Sequence, residues 1–417
     1  MPRSGEPRGV TASAGDPSSR AAESVDRDDR DRWTLVAGAS LVSVALGAYE
    51  ISPAGVTPLI RETMDVGPAA AGLVVSVMFG TAVLFSLPAG AVLDRVDSRR
   101  AVAAAVVALF VAGAWGWLAG ERGDYTSLLA SRVLGGLGYV VVWNAAIDIV
   151  SEAVSAERRA TAVGVFTASG PVGFALGQSA GPLVAAWFGW PAIFVAFNGL
   201  ALVGLALFWP TSRGLGRVGG ETPPSLGELG DVLRRRAVWL VGALGFLGYS
   251  IYLFINSWAP SYLVDTQGLS LGVSGLLVAV FPAVGVLSRV SSGVVSDRLF
   301  DGRRRPVVLA SFVVATPLIV GFAVVDSVAV LVGVMLVAGF AIQLTLGLSF
   351  AYARELVDAR VGATAVAFQT SVALAGAFVA PIAGGALIET RGYGSAFLAA
   401  AVLAAVGVVL AWRAPEP

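Results

Sequence analysis

Glu50 and Arg132 stand where charge is costly. Each lies inside a long apolar run, Glu50 after Leu46-Gly47-Ala48-Tyr49 and Arg132 after Leu128-Leu129-Ala130-Ser131. Ionisable side chains inside runs long enough to cross a bilayer are rare and are functional candidates by default. At 1.5 Å per residue both sit roughly 10 Å below the same surface, which predicts that they face each other. A carboxylate beside an arginine is held ionised, and a bound solute that disturbs the pair lets it take up a proton. The same two residues could equally form a static bridge that fixes helix register. The chain has no histidine and no cysteine. A group that handles protons near neutral pH is therefore a carboxylate. Thiolate metal sites and disulfides are excluded, and a nucleophile with its base, or a metal-activated enzyme site, is hard to assemble. No enzyme activity, metal or cofactor is expected.

A second set of charges comes in duplicate. Gly90-Ala-Val-Leu-Asp94-Arg95, followed by Arg99-Arg100, is echoed 203 residues later by Gly293-Val-Val-Ser-Asp297-Arg298, followed by Arg303-Arg304-Arg305. The same offset relates Ala160-Thr161-Ala162-Val163 to Ala363-Thr364-Ala365-Val366, Glu152 to Glu355, and Gly189-Trp190 with Phe194 to Gly392-Tyr393 with Phe397. An offset held across a whole half reads as duplication of one membrane unit. Asp94 and Asp297 sit at helix ends beside cations, placed to pair with the opposing unit. With Arg95, Arg298, Glu152 and Glu355 they form an expected gating network, or else serve only as topology anchors.

The elements that must position these residues are helical. Hydrophobic residues make up 56% of the chain and charged ones 13%, far from the balance of a soluble domain. The apolar content falls into twelve stretches, near 34–57, 69–92, 101–120, 125–149, 161–187, 190–210, 237–264, 270–295, 306–325, 328–350, 362–388 and 393–412. Each is long enough to span ~30 Å of hydrocarbon as a helix. None shows the alternation of a barrel strand, and helices satisfy their own backbone in lipid. All 28 cations are arginine. They crowd the tails and alternate loops, leaving only Arg61, Arg122 and Arg391 in the opposite loops. The positive-inside rule then puts both termini in the cytoplasm of a multi-pass protein in the cell membrane. Net charge is zero, which gives no case for nucleic acid.

Four regions follow: a polar, disordered cytoplasmic tail over 1–32, a six-helix bundle over 33–210, a linker over 211–236 and a second bundle over 237–413. Within the linker, Ser225-Leu-Gly-Glu228 opens like a capping box, and the leucines that follow share one helical face. A short helix on the inner membrane surface is predicted there.

The paired Gly-x-x-x-Asp-Arg…Arg-Arg loop resembles the signature of the major facilitator superfamily. Arg132-Val-Leu-Gly135-Gly136-Leu-Gly138 looks like its second motif, and Gly177-x-x-x-Gly181-Pro182 like its third, often called the antiporter motif. Asp97 departs from the pattern, standing where a glycine is usual in mid-loop. The resemblance covers about 33–412 and implies an all-α membrane protein of twelve transmembrane helices in two pseudo-symmetric bundles. Spans 1, 4, 7 and 10 would line a central cavity, with alternating access by rocking of the bundles. It implies a secondary active transporter, functional as a monomer, that moves a small solute with protons or sodium as the coupling ion. Glu50 with Arg132 and the third motif favour proton-coupled antiport, that is, efflux. The alternative within transport is proton- or sodium-coupled uptake of a small organic anion. From another class, a non-transporting sensor or a membrane enzyme is disfavoured. Possible solute contacts are Tyr49, Asn144, Tyr252, Asn256, Arg289 and Gln343. Arg289 stands eight residues before Asp297, a spacing similar to nitrate/nitrite porters, where the arginine clamps an oxyanion. The companion arginine of those porters is missing at Ser86-Leu87-Pro88.

Overall fold

A computed structural model describes residues 17–93, 95–213 and 226–416. Asp94, residues 1–16 of the tail, and residues 214–225 of the linker, including the expected cap Ser225, lie outside the described residues.

The first half comprises α1 (Pro17–Gly55), α2 (Thr57–Met64), α3 (Pro68–Leu93), α4 (Ser98–Glu121), α5 (Tyr125–Ala153), α6 (Ala156–Phe188) and α7 (Ala192–Thr211). After the linker helix α8 (Leu226–Leu233) come α9 (Arg236–Asp265), α10 (Leu271–Val278), α11 (Val280–Leu299), α12 (Arg304–Val324), α13 (Val328–Glu355) and α14 (Gly362–Arg413). Among the described residues, eleven helical stretches are long and apolar enough to cross a membrane, with α10 and α11 acting as one. The last, α14, has 52 residues and turns at Gly392. It holds two spans, which makes twelve crossings.

Two differences from the sequence reading are local. Helix α1 begins at Pro17, inside the stretch expected as a disordered tail, although only from Arg30 is it apolar enough to cross. Extending an existing helix needs no new nucleus, so a polar stretch abutting a span can continue it. The loop after the first span forms α2, with Pro58 in its first turn and Asp65 in left-handed conformation closing it.

The duplication is visible in the packing. Helix α1 packs on α6 and α7, α3 on α5, and α4 on α5 and α7. In the second half α9 packs on both parts of α14, α11 on α13, and α12 on α13 and α14. The turns between the last two spans of each half match as well: Gly189 has φ +81° and Gly392 φ +79°. That backbone region is strained for residues bearing a Cβ, so glycine recurs at the repeat distance. Asp97, the residue that departs from the loop pattern, caps α4 by accepting from the Arg100 N–H at 3.1 Å.

The halves join through α3 with α14 and through α6 with α10 and α11, again a symmetric pair of contacts. The described ties gather at the end of the bundles opposite the chain termini, here called the far end. Gly72 lies under the Pro381 carbonyl and Gly385 against that of Pro68, close enough that a Cβ on either glycine would collide. Nearer the chain ends the same α3 shows Leu84 and Val92 largely exposed.

Candidate functional site

Arg132 is completely buried, yet its guanidinium does not meet a carboxylate. Nε donates to the Val74 carbonyl (3.0 Å), Nη1 to that of Tyr49 (2.9 Å) and Nη2 to that of Glu50 (2.8 Å). The guanidinium also lies 4.5 Å from the Tyr49 ring centroid. The local reason is Pro53, inside α1. A proline has no N–H, so the carbonyl four residues back, at Tyr49, has no partner within the helix. An unmet carbonyl in hydrocarbon is expensive, and Arg132 satisfies it from the neighbouring helix. Glu50 itself is buried and its Oε1 has no hydrogen-bond partner. The expected side-chain pair is thus replaced by a staple from α5 onto the backbone of α1 and α3. Tyr49 is sandwiched between Arg132 and Phe194 inside the first bundle.

Where the bundles meet at mid-depth, aromatic rings from both collect around Tyr252. Phe174 of α6 lies 5.5 Å from it, Phe281 of α11 stacks at 5.7 Å, and Tyr249 sits at 6.5 Å. Phe79, Tyr139 and Trp143 continue the wall within the first bundle. The Arg289 guanidinium lies 5.7 Å from the Tyr252 ring centroid. Arg289 belongs to α11 of the second bundle, and Glu50 to α1 of the first. The Nε of Arg289 and the hydroxyl of Tyr252 are buried without partners. Arg289 is about 15 Å from the end of α11 at 1.5 Å per residue, deep in the span.

The other expected contacts are spread out. Asn256 is buried, its amide donating to the Tyr252 carbonyl at 2.8 Å. Its own carbonyl accepts from Gln178 Nε2 of the opposite bundle at 2.6 Å. Gln343 is buried between α13 and α11, donating to the Phe281 carbonyl at 2.9 Å. Asn144 is exposed on α5.

At the chain-terminal end, Asp297 and Glu355 are drawn together by one arginine, Arg304, at 2.8 Å and 3.0 Å. This triad ties α11, α12 and α13 within the second bundle. Arg298, placed in the network by its repeat position, is exposed, as are Arg95 and Glu152. Arg304 belongs to the arginine cluster that echoes Arg99-Arg100, but at the strict repeat offset Ala101 stands opposite it, so the duplication did not single it out. Tyr139 was missed too, although it falls two helical turns from Arg132 on α5.

Two pseudo-equivalent bundles of membrane-length helices, meeting around a cluster of aromatic rings, define a membrane carrier. The chain belongs to the Major Facilitator Superfamily, which it matches over residues 35–378. It is 26% identical to the "Hexuronate transporter" of Bacillus subtilis (strain 168) over 379 residues, covering 84% of this chain and 88% of that protein. It is 25% identical to the "Inner membrane transport protein YdhP" of Escherichia coli (strain K12) over 288 residues, covering 66% of this chain and 70% of the other. Among solved structures, it resembles a bacterial homolog of the human lysosomal transporter Spinster in its inward-facing and occupied conformation. The TM-score is 0.77 at 16% identity, over 92% of this chain and 96% of that one. The inward-facing, unoccupied form gives 0.76. The protein is a multi-pass membrane transporter of the secondary type, and not an enzyme.

Proposed function

We propose that this carrier moves a small organic anion together with a proton, inward across the cytoplasmic membrane. The observation behind this reading is the different state of the two intramembrane arginines. Arg132 has its nitrogens engaged by main-chain carbonyls, whereas Arg289 keeps a buried donor with no partner. A cation in a low-dielectric space attracts whatever anion can reach it. Two can do so: the Glu50 carboxylate from the opposite bundle, or a carboxylate on the solute. When Glu50 is protonated, Arg289 is left to the solute and the loaded carrier holds both. When Glu50 is ionised, it balances Arg289 and the empty carrier can return. Proton and anion then travel in the same direction. The antiport expected from the sequence rested on Glu50 with Arg132 and on the third motif. With Arg132 turned to the backbone and Arg289 in the central space, an anion fits better. The name of the Bacillus relative, a hexuronate carrier, agrees with an anionic solute.

In this reading both termini are cytoplasmic, the far end is external, and the conformation described is closed to the outside. Asp94, Arg95, Asp297, Arg298, Glu152 and Glu355 belong to the inner gate. Proteoliposome uptake of a panel of organic acids, hexuronates included, tests it. An inward-directed proton gradient, acidic outside, should drive accumulation in the parent protein and not in Glu50→Gln, while anion exchange persists in the variant. Gradient-driven accumulation undiminished in Glu50→Gln would remove this residue from the coupling.

A further inference from the structure

The Gln178–Asn256 bond has the same chemical origin as the Arg132 staple but joins the two bundles. Pro260 lies inside α9, four residues after Asn256. Lacking an N–H, it leaves the Asn256 carbonyl without its helical partner. Gln178 of α6 donates its amide N–H to that oxygen at 2.6 Å. Both residues are fully buried. Around them the far end is tight: Gly275 of α10 packs directly on the Gln178 carbonyl, and Pro182, one turn on, packs on both Gly275 and Gly55. One turn in the other direction along the same two helices, Phe174 meets Tyr252, the ring that lies by Arg289.

We propose that Gln178 is a positioning residue for transport: a buried pin that closes the far-end gate by satisfying the carbonyl freed by Pro260. If α6 and α9 separate when the far end opens, Asn256 is left with an orphaned carbonyl until water or solute reaches it. An unmet buried acceptor costs more than an ordinary hydrogen bond gains, so the pin biases the empty carrier toward the far-end-closed state. It is the described interbundle hydrogen bond nearest the Tyr252–Arg289 cluster, one helical turn away. The Asn256 side chain bonds the main-chain carbonyl of Tyr252, one turn back along α9. The inference rests on the rocking of two bundles but not on the coupling ion or the solute.

The chain has no cysteine of its own, so spin labels can be placed on the full-length protein at Glu62→Cys and Thr266→Cys. Both positions are exposed at the far end, one on each bundle. Pulsed EPR distances in nanodiscs, without solute or gradient, then report the closed and open populations. Gln178→Leu should raise the open-to-closed ratio by roughly five- to tenfold. Pro260→Ala gives α9 its own N–H for the Asn256 carbonyl. In that background Gln178→Leu should change the ratio less than twofold. A purely packing role for Gln178 would give the same shift in both backgrounds, and that result, or no shift at all, overturns the proposal. If Gln178→Leu fails to fold by itself, rescue of a monodisperse protein by Pro260→Ala supports the pin, and failure in both backgrounds counts against it. Because no proton gradient is involved, the outcome is independent of the Glu50 experiment.

Discussion

Arg132 donates to the main-chain carbonyl of Glu50, 2.8 Å away, rather than to its carboxylate. The two residues are neighbours with separate tasks. Arg132 holds α1 and α3 to α5 through three carbonyl contacts, while the buried Glu50 Oε1 is left without a hydrogen-bond partner.

The first prediction separates those tasks by stability. Arg132→Met removes all three bonds and orphans at least the Tyr49 carbonyl, at about 1–3 kcal/mol for each unmet group. Its melting temperature in detergent should fall by several degrees or the protein should fail to accumulate. Glu50→Gln leaves every Arg132 bond in place and should melt like the parent. Equal destabilisation by both substitutions would restore a side-chain ion pair.

The second concerns pH. Protonating Glu50 frees Arg289 for the solute, so anion affinity in the parent should weaken as pH rises from 5 to 9. In Glu50→Gln the group is permanently neutral. Its affinity, measured by isothermal titration, should stay high and nearly flat over that range. A parallel pH slope in both proteins would place the titrating group elsewhere.

Arg289 is expected to anchor the solute. Charge-assisted hydrogen bonds contribute about 1.5–3 kcal/mol, so Arg289→Gln should weaken anion binding roughly tenfold to a hundredfold at 1.4 kcal/mol per tenfold. Lysine keeps the charge but not the planar fork, and Arg289→Lys should fall between. Binding assays with the same organic acid decide it, and unchanged affinity in Arg289→Gln would exclude the anchor.

At the far end, Arg61 of α2 meets Asp265 at the end of α9 at 3.5 Å, and Asp265 also accepts from the Tyr393 hydroxyl at 2.7 Å. Trp190 bonds Thr63 and so steadies α2 on the first bundle. The pair is partly exposed, and such pairs contribute about 0.2–1 kcal/mol. Arg61→Asp should therefore open the far end only a few-fold by EPR, and Asp265→Arg in addition should reverse the change. A double variant as open as the single one would show that the charges do not act together.

Arg304 is the hub of the opposite end. Arg304→Ala releases Asp297 and Glu355 together, and Asp297→Asn removes one arm only. Turnover should fall in both and more in the first, with solute affinity within about twofold, since the triad lies far from Arg289. Loss of affinity instead of turnover would move the triad from gating to binding.

The 203-residue repeat, the spans and the arginine distribution were legible because they are local. Helix length, apolar runs and a glycine at a positive-φ turn depend on a residue and its chain neighbours. The equivalence of Gly189 and Gly392, and the like packing of the two halves, follow from that. Even the Arg132 staple left a trace, since Pro53 announces an unmet carbonyl at Tyr49, and Pro260 does the same at Asn256. What filled those vacancies was not written locally. Gln178 reaches Asn256 from the other bundle, Arg304 rather than Arg298 gathers Asp297 and Glu355, and Arg61 finds Asp265 through a short helix that the loop composition did not predict. Each of these depends on which side chain the packed helices bring within about 3 Å of a free donor or acceptor. Sequence alone determined that two charged bundles of helices would meet. Tertiary packing decided that Arg132 would hold the backbone and Arg289 would keep a free hand.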